Sequence, residues 1–192
     1  MNKGRLEAFT DGVIAILITI MVLEFVAPES ADIAALQPLV PTLLSYLLSF
    51  VFIAIYWNNH HHMLQASHHV DGRVLWANMH LLFWLSLVPF ATAWIGHNGF
   101  ASWPVAVYGV VLLCSGIAYF ILSRVLIAVN GEHSPLAKAV GEDRKGRMSL
   151  AIYLLAVPVA FWRPEVSGAM YVLVAIMWLV PDRRIERTLA GK

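Results

Sequence analysis

Arg5 and Asp11 flank Phe9 and Thr10 at the start of an apolar run that continues through Gly12, Val13, Ile14, Ala15 and Ile16. A charged side chain at the centre of a bilayer costs about 2.5–3.5 kcal/mol on insertion scales, and less near a helix end, so partners on other segments must offset it. The chemistry these two residues offer is ion pairing and hydrogen bonding between helices, or proton carriage by the carboxyl group. The sequence also holds 8 histidines. His60, His61 and His62 are consecutive, so on a helix their side chains point about 100° apart and do not converge on one metal. His68 and His69 are adjacent and read as loop. Hydrogen bonding at the interface is the better reading for this cluster, and no metal site is expected. His80 stands beside Asn78 inside an apolar run and reads as a buried, hydrogen-bonded histidine. Nucleophilic catalysis has no support: there is no Gly-x-Ser-x-Gly elbow, Ser/Lys dyad or His-Glu-x-x-His, so no catalytic residue is assigned and no enzyme is expected. Cys114 is the one cysteine, which excludes an intrachain disulfide and a cysteine-based cluster.

The elements that position these residues must be membrane helices. Of 192 residues 59% are hydrophobic and 13% charged, against roughly 25% charged in a soluble domain. That excess of apolar residues cannot fit one soluble core. The net charge of +1 gives no reason to expect nucleic acid or an acidic substrate. A span needs about 20 apolar residues. Six segments qualify, over 9–27, 39–63, 74–95, 101–129, 148–162 and 166–180, the last two forming a hairpin through Arg163-Pro164-Glu165. The first run lacks a small-x-small cleavage site before Pro28 and is expected to be a retained span. The connection 130–147 holds Gly131, Pro135, Gly141 and mixed charges and is expected to be a solvated loop.

Basic residues orient the spans. Lys3, Arg5, Arg73, Arg124, Lys138, Arg144, Lys145, Arg147, Arg183, Arg184, Arg187 and Lys192 are assigned to one side, and Arg163 alone to the other. The expectation is an all-α, multi-pass protein of one domain in a cell's inner membrane, with both termini cytoplasmic.

The first helix splits into two faces. At about 100° per residue, Leu23 lies about 20° from Ile16, Thr19 about 60° and Ile20 about 40° to the other side, whereas Asp11 lies about 140° away. Ile16, Thr19, Ile20 and Leu23 therefore form one stripe that Asp11 does not share. The stripe either packs in the bundle or faces lipid, or it lines a symmetric pore while Asp11 fastens the helix to its neighbours. Arg5 is about 120° from Asp11, so the two do not pair along one face. Trp57, Asn58, His60, His61, Asn78 and His80 stand at the same membrane side as candidate partners. Glu24 reads as a solvated end-cap charge or, in a pore, as a cation-attracting ring at its mouth.

The run Arg5-x-x-x-Phe9-Thr10-Asp11-Gly12-Val13-x-Ala15-Ile16, followed by Thr19 and Leu23-Glu24, resembles the first helix of the bacterial branch of the TMEM175 potassium channels. That family carries an Arg-x-x-x-Phe-Ser-Asp signature, and Thr10 here keeps the hydroxyl while adding a methyl group. Trp57-x-x-His60-His61 and Leu81-Leu82-Phe83 leading to Pro89-Phe90-x-Thr92 are also similar to it. The resemblance implies six helices per subunit and a homotetramer whose pore is lined by the first helix. It implies a potassium-selective, leak-type conductance with Ile16 as constriction, Thr19 as hydroxyl layer, Ile20 sharing the middle layer, Leu23 as outer ring and Glu24 at the mouth. Arg5, Phe9, Thr10 and Asp11, with Trp57, His60 or His61, would form an interhelical lock. The implied partners are potassium ions, the lipid bilayer and further copies of the chain, with no cofactor. The alternative is a proton channel or proton-coupled transporter using Asp11 and the membrane histidines.

Overall fold

A computed structural model describes residues 2–141 and 143–179. Val180 of the sixth expected span and the basic residues Arg183, Arg184, Arg187 and Lys192 lie outside the described residues. Among the described residues the secondary structure is helical throughout.

Helix α1 (Lys3–Ile20) begins six residues before the expected first span, because the Asn2 side chain caps it by accepting from the Gly4 N–H. It tightens into a 3₁₀ turn over Met21–Glu24. The wheel used for the sequence therefore changes pitch after Ile20. In a 3₁₀ turn residues three apart eclipse one another, so Leu23 stays above Ile20. A second 3₁₀ segment, Ile33–Leu39, leads into α2 (Val40–Gln65), where Pro41 occupies the first turn, whose N–H groups have no helical partner.

The third expected span is not one continuous helix. It divides into α3 (Gly72–Ser86) and α4 (Val88–His97). Pro89 supplies no N–H, and its ring clashes with a preceding carbonyl, so the helix breaks at Leu87. Helix α5 (Ser102–Asn130) is capped by Gly131, whose φ of 94° suits glycine. Arg124, assigned to a connection from sequence, sits in the last turns of α5.

The connection expected to be a loop contains a short helix, α6 (Pro135–Val140). Buried Leu136 anchors it and the Ser134 hydroxyl caps it. Helices α7 (Arg144–Val159) and α8 (Pro164–Leu179) stand where the fifth and sixth spans were expected. Helix α7 has 16 residues, or about 24 Å at 1.5 Å per residue, short of a bilayer's hydrocarbon core of about 30 Å, and 16 residues of α8 are described. Among the described residues, four stretches are long and apolar enough to cross a membrane: Lys3–Glu24, Ile33–Gln65, Gly72–His97 and Ser102–Asn130.

Helix α5 is the centre of the fold. Half of its span is buried, against 28% for α1. Its buried residues, from Val105 and Tyr108 to Leu122 and Leu126, occupy more than one stripe because α3, α4, α7 and α8 all pack on it. Helices α2 and α4 meet closely at Gly96, where a Cβ would stand 2.9 Å from the Thr42 backbone. Small residues permit such approaches between membrane helices.

Candidate functional site

Helix α1 buries one face and leaves the opposite one bare. Leu6, Thr10, Ile14, Leu17 and Met21 recur at helical spacing and are buried. Ile16 is 61% exposed, Ile20 47% and Leu23 75%, with Thr19 exposed between them. The stripe identified from sequence is thus a face that the rest of the chain does not cover. The Thr19 hydroxyl donates to its own helix, 2.9 Å from the Ala15 oxygen and 3.1 Å from that of Ile16. Its single hydrogen points back along the backbone, and its lone pairs remain available as acceptors.

Thr10 and Asp11 are neighbours in the chain but do different things. Thr10 is fully buried and accepts from the Asn78 amide at 2.9 Å. Asn78 in turn lies 2.8 Å from His60 Nε2. Because the Asn78 nitrogen donates to Thr10, its oxygen accepts from His60, and this places the histidine proton on Nε2. The chain Thr10–Asn78–His60 joins α1, α3 and α2 with all three side chains buried. Buried polar groups in low dielectric are costly unless paired, so these two bonds hold the three helices in one register.

Asp11 is exposed and accepts from the Trp57 indole N–H at 2.9 Å. His61 stacks on Trp57 with ring centroids 5.9 Å apart. Phe9 is 53% exposed on the uncovered side of α1. Arg5 is exposed, and among the described residues no ion pair joins it to Asp11. Glu24 is half-buried, and its carboxylate lies 3.6 Å from His97 Nε2 at the end of α4.

His80 does not behave as its apolar surroundings suggested. It is exposed on α3 and accepts from the Trp84 indole one turn on, at 3.0 Å. The buried histidine is His60. Sequence reasoning also missed two ties. Lys3 donates to the Leu64 and Ser67 carbonyls at 3.0 and 3.2 Å, closing the end of α2 onto the start of α1. The Ser49 hydroxyl lies 2.6 Å from Thr92 and 2.9 Å from Tyr108, linking α2, α4 and α5. Isolated hydroxyls on apolar helices carry no signal of which partner they meet. Among the described residues no three His, Cys, Asp or Glu side chains gather as metal ligands.

Known proteins resemble this chain in sequence and fold. The sequence profile of the family described as endosomal/lysosomal potassium channel TMEM175 matches residues 5–89. A potassium channel of Chryseobacterium sp. (strain P1-3) is 52% identical over 189 residues, covering 98% of both chains. The endosomal/lysosomal proton channel TMEM175 of Danio rerio is 23% identical over 139 residues, 70% of this chain and 26% of that protein. The crystal structure of a lysosomal potassium-selective channel TMEM175 homolog from Chamaesiphon minutus matches with a TM-score of 0.79 and 27% identity, over 93% of this chain and 96% of that one. The signature on α1, the shared helical architecture and identity along nearly the whole length of a relative lead to one conclusion: the chain belongs to the TMEM175 family, a family of ion channels and not of enzymes.

Proposed function

We propose that four copies of this chain stand around a common axis in a cell's inner membrane, termini cytoplasmic, and form a potassium-selective leak channel lined by α1. The observation that carries this reading is the bare face of α1. Ile16, Thr19, Ile20 and Leu23 are uncovered, while the opposite side is bolted to α2 and α3 through Thr10, Asn78 and His60.

In such an assembly Ile16 forms the constriction. An apolar ring admits an ion only if it sheds water and receives little in return. Potassium gives up its hydration more readily than sodium, so the ring favours potassium with modest discrimination. Thr19 offsets part of the loss with hydroxyl lone pairs, since its hydrogen is already directed to Ala15 and Ile16. Ile20 and Leu23 continue the apolar wall to Glu24 at the outer mouth. Thr10 and Asp11, with Trp57, His60 and His61, hold the lining helix in place and do not contact the ion, and Arg5 and Phe9, exposed in one chain, complete the lock against a neighbouring copy.

The test is a flux measurement on full-length protein in liposomes. The reversal potential is expected to move toward the potassium equilibrium value, and cross-linking should stop at tetramers. Folded protein that passes no potassium would overturn the reading. A proton flux abolished by Asp11→Asn, with no potassium flux beside it, would favour the proton pathway instead.

A further inference from the structure

Away from α1, the inner halves of α2, α5, α7 and α8 enclose a cavity with about 510 Å³ of unfilled space, its open mouth included. Its walls are aromatic: Tyr56 from α2, Tyr119 and Phe120 from α5, Tyr153 from α7 and Trp178 from α8. Tyr56 and Tyr119 stand edge to face with centroids 6.0 Å apart. Gly116 keeps the space open, since a Cβ there would stand 2.9 Å from Leu150.

The polar groups on the lining are only partly engaged. Ser149 is satisfied, donating to the Lys145 carbonyl and accepting from the Trp178 indole, each at 2.8 Å. One Asn59 N–H donates to the Ile55 carbonyl at 2.8 Å, which leaves the second N–H and the amide oxygen. Among the described residues no hydrogen bond engages the hydroxyl of Tyr56 or Tyr119. The Asp143 carboxylate accepts from the Gly146 N–H at 3.1 Å and retains further acceptor capacity. The Asp143 carboxylate, the Asn59 oxygen and the two hydroxyl oxygens thus offer acceptors beside the π faces of the walls. Aromatic faces attract cations most strongly when water is excluded.

We propose that this cavity binds an alkylammonium group, its N–H donors directed at Asp143, Asn59 and the tyrosine hydroxyls and its carbon chain lying on the aromatic walls. Arg124 already rests 5.0 Å over Phe120 and, with Arg147, shares the field of Asp143, so the ligand enters as an additional cation and binds weakly. Burial pushes the Asp143 carboxyl up, and an arriving cation restores its charge. The ammonium can come from a free amine or from a phosphatidylethanolamine headgroup. The site lies on α2, the helix that also carries Trp57 and His60, and it stands independently of the conduction reading.

Isothermal titration of the full chain with butylammonium, and with butanol as the neutral control of similar size, tests it. Butylammonium is expected to bind at least about tenfold tighter than butanol. Asp143→Asn should abolish that preference. Asparagine caps a helix as well as aspartate does and tolerates the positive φ of 43° at this position, so the variant keeps the fold. Equal affinity for the two probes, or a preference that survives Asp143→Asn, would overturn the proposal. Repeating the titration in nanodiscs separates the sources. Binding in phosphatidylglycerol but not in phosphatidylethanolamine identifies the lipid headgroup as occupant, and binding in both identifies a free amine. Failure in both would again overturn it.

Discussion

His60 on α2 and Thr10 on α1 never touch, yet each is bound to the same Asn78 side chain, at 2.8 and 2.9 Å. One amide therefore fixes the spacing of three helices, and it does so where no water can substitute. The neighbouring bond from Trp57 to Asp11 has similar length, 2.9 Å, but lies at an exposed position. The two ties differ in what their loss costs.

Asn78→Leu should destabilise the subunit most. It leaves the Thr10 hydroxyl and the His60 Nε2–H buried without partners, at about 1–3 kcal/mol each. Trp57→Phe removes only the exposed bond and should cost about 1 kcal/mol or less. Thermal unfolding in detergent should rank them in that order, with Thr10→Ser close to the parent because the hydroxyl survives. An Asn78→Leu protein as stable as Trp57→Phe would show that the buried chain is not what holds the helices.

The uncovered stripe predicts two opposite effects on conduction. Ile16→Asn replaces an apolar ring by one that can bind water, so single-channel current should rise and potassium-over-sodium discrimination fall. Thr19→Val keeps the shape and removes the oxygen, so potassium current should drop by about tenfold, the equivalent of one lost hydrogen-bond partner. Both positions are exposed in the subunit, so stability should hardly change. Unaltered current in both would remove α1 from the pore.

Two carboxylates outside the spans should respond to pH in opposite senses. Burial raises the Asp143 carboxyl above its ordinary value, so the folded state holds its proton more tightly than the unfolded chain. Its stabilising contribution is complete below the unfolded carboxylate range and is lost as pH rises through the raised value. The Val74 N–H and the Arg73 side chain hold Asp71 below its ordinary value, so its contribution is present above that range and is lost on acidification. Melting temperature followed against pH should therefore decline less on the alkaline side in Asp143→Asn and less on the acid side in Asp71→Asn. Parallel curves for the parent and both variants would contradict this.

Much of the architecture was legible from composition and periodicity. Long apolar runs have few ways to satisfy their backbone in lipid other than as helices, and α1, α2 and α5 fall close to where those runs lie. The break at Leu87 and the short helix α6 were less visible. A run of apolar residues does not say whether a proline bends a helix or ends it, and Leu136 is buried only because other segments close over it. His80 and His60 show the same limit. Each sits among apolar neighbours, and only the packing of α3 on α5 and of α1 on α2 decides which imidazole is enclosed.

The sequence by itself determined that α1 has two unlike faces, because a fixed turn per residue separates Asp11 from the Ile16 stripe whatever surrounds the helix. It also determined that Asp11 required a partner, since an isolated carboxylate near lipid is costly. Which partner answers was a tertiary matter. Asn78 and Thr10 are separated by 68 positions in the sequence, and Trp57 and Asp11 by 46. Hydrogen bonds act over about 3 Å, so only the folded arrangement of α1, α2 and α3 brings those donors and acceptors within range.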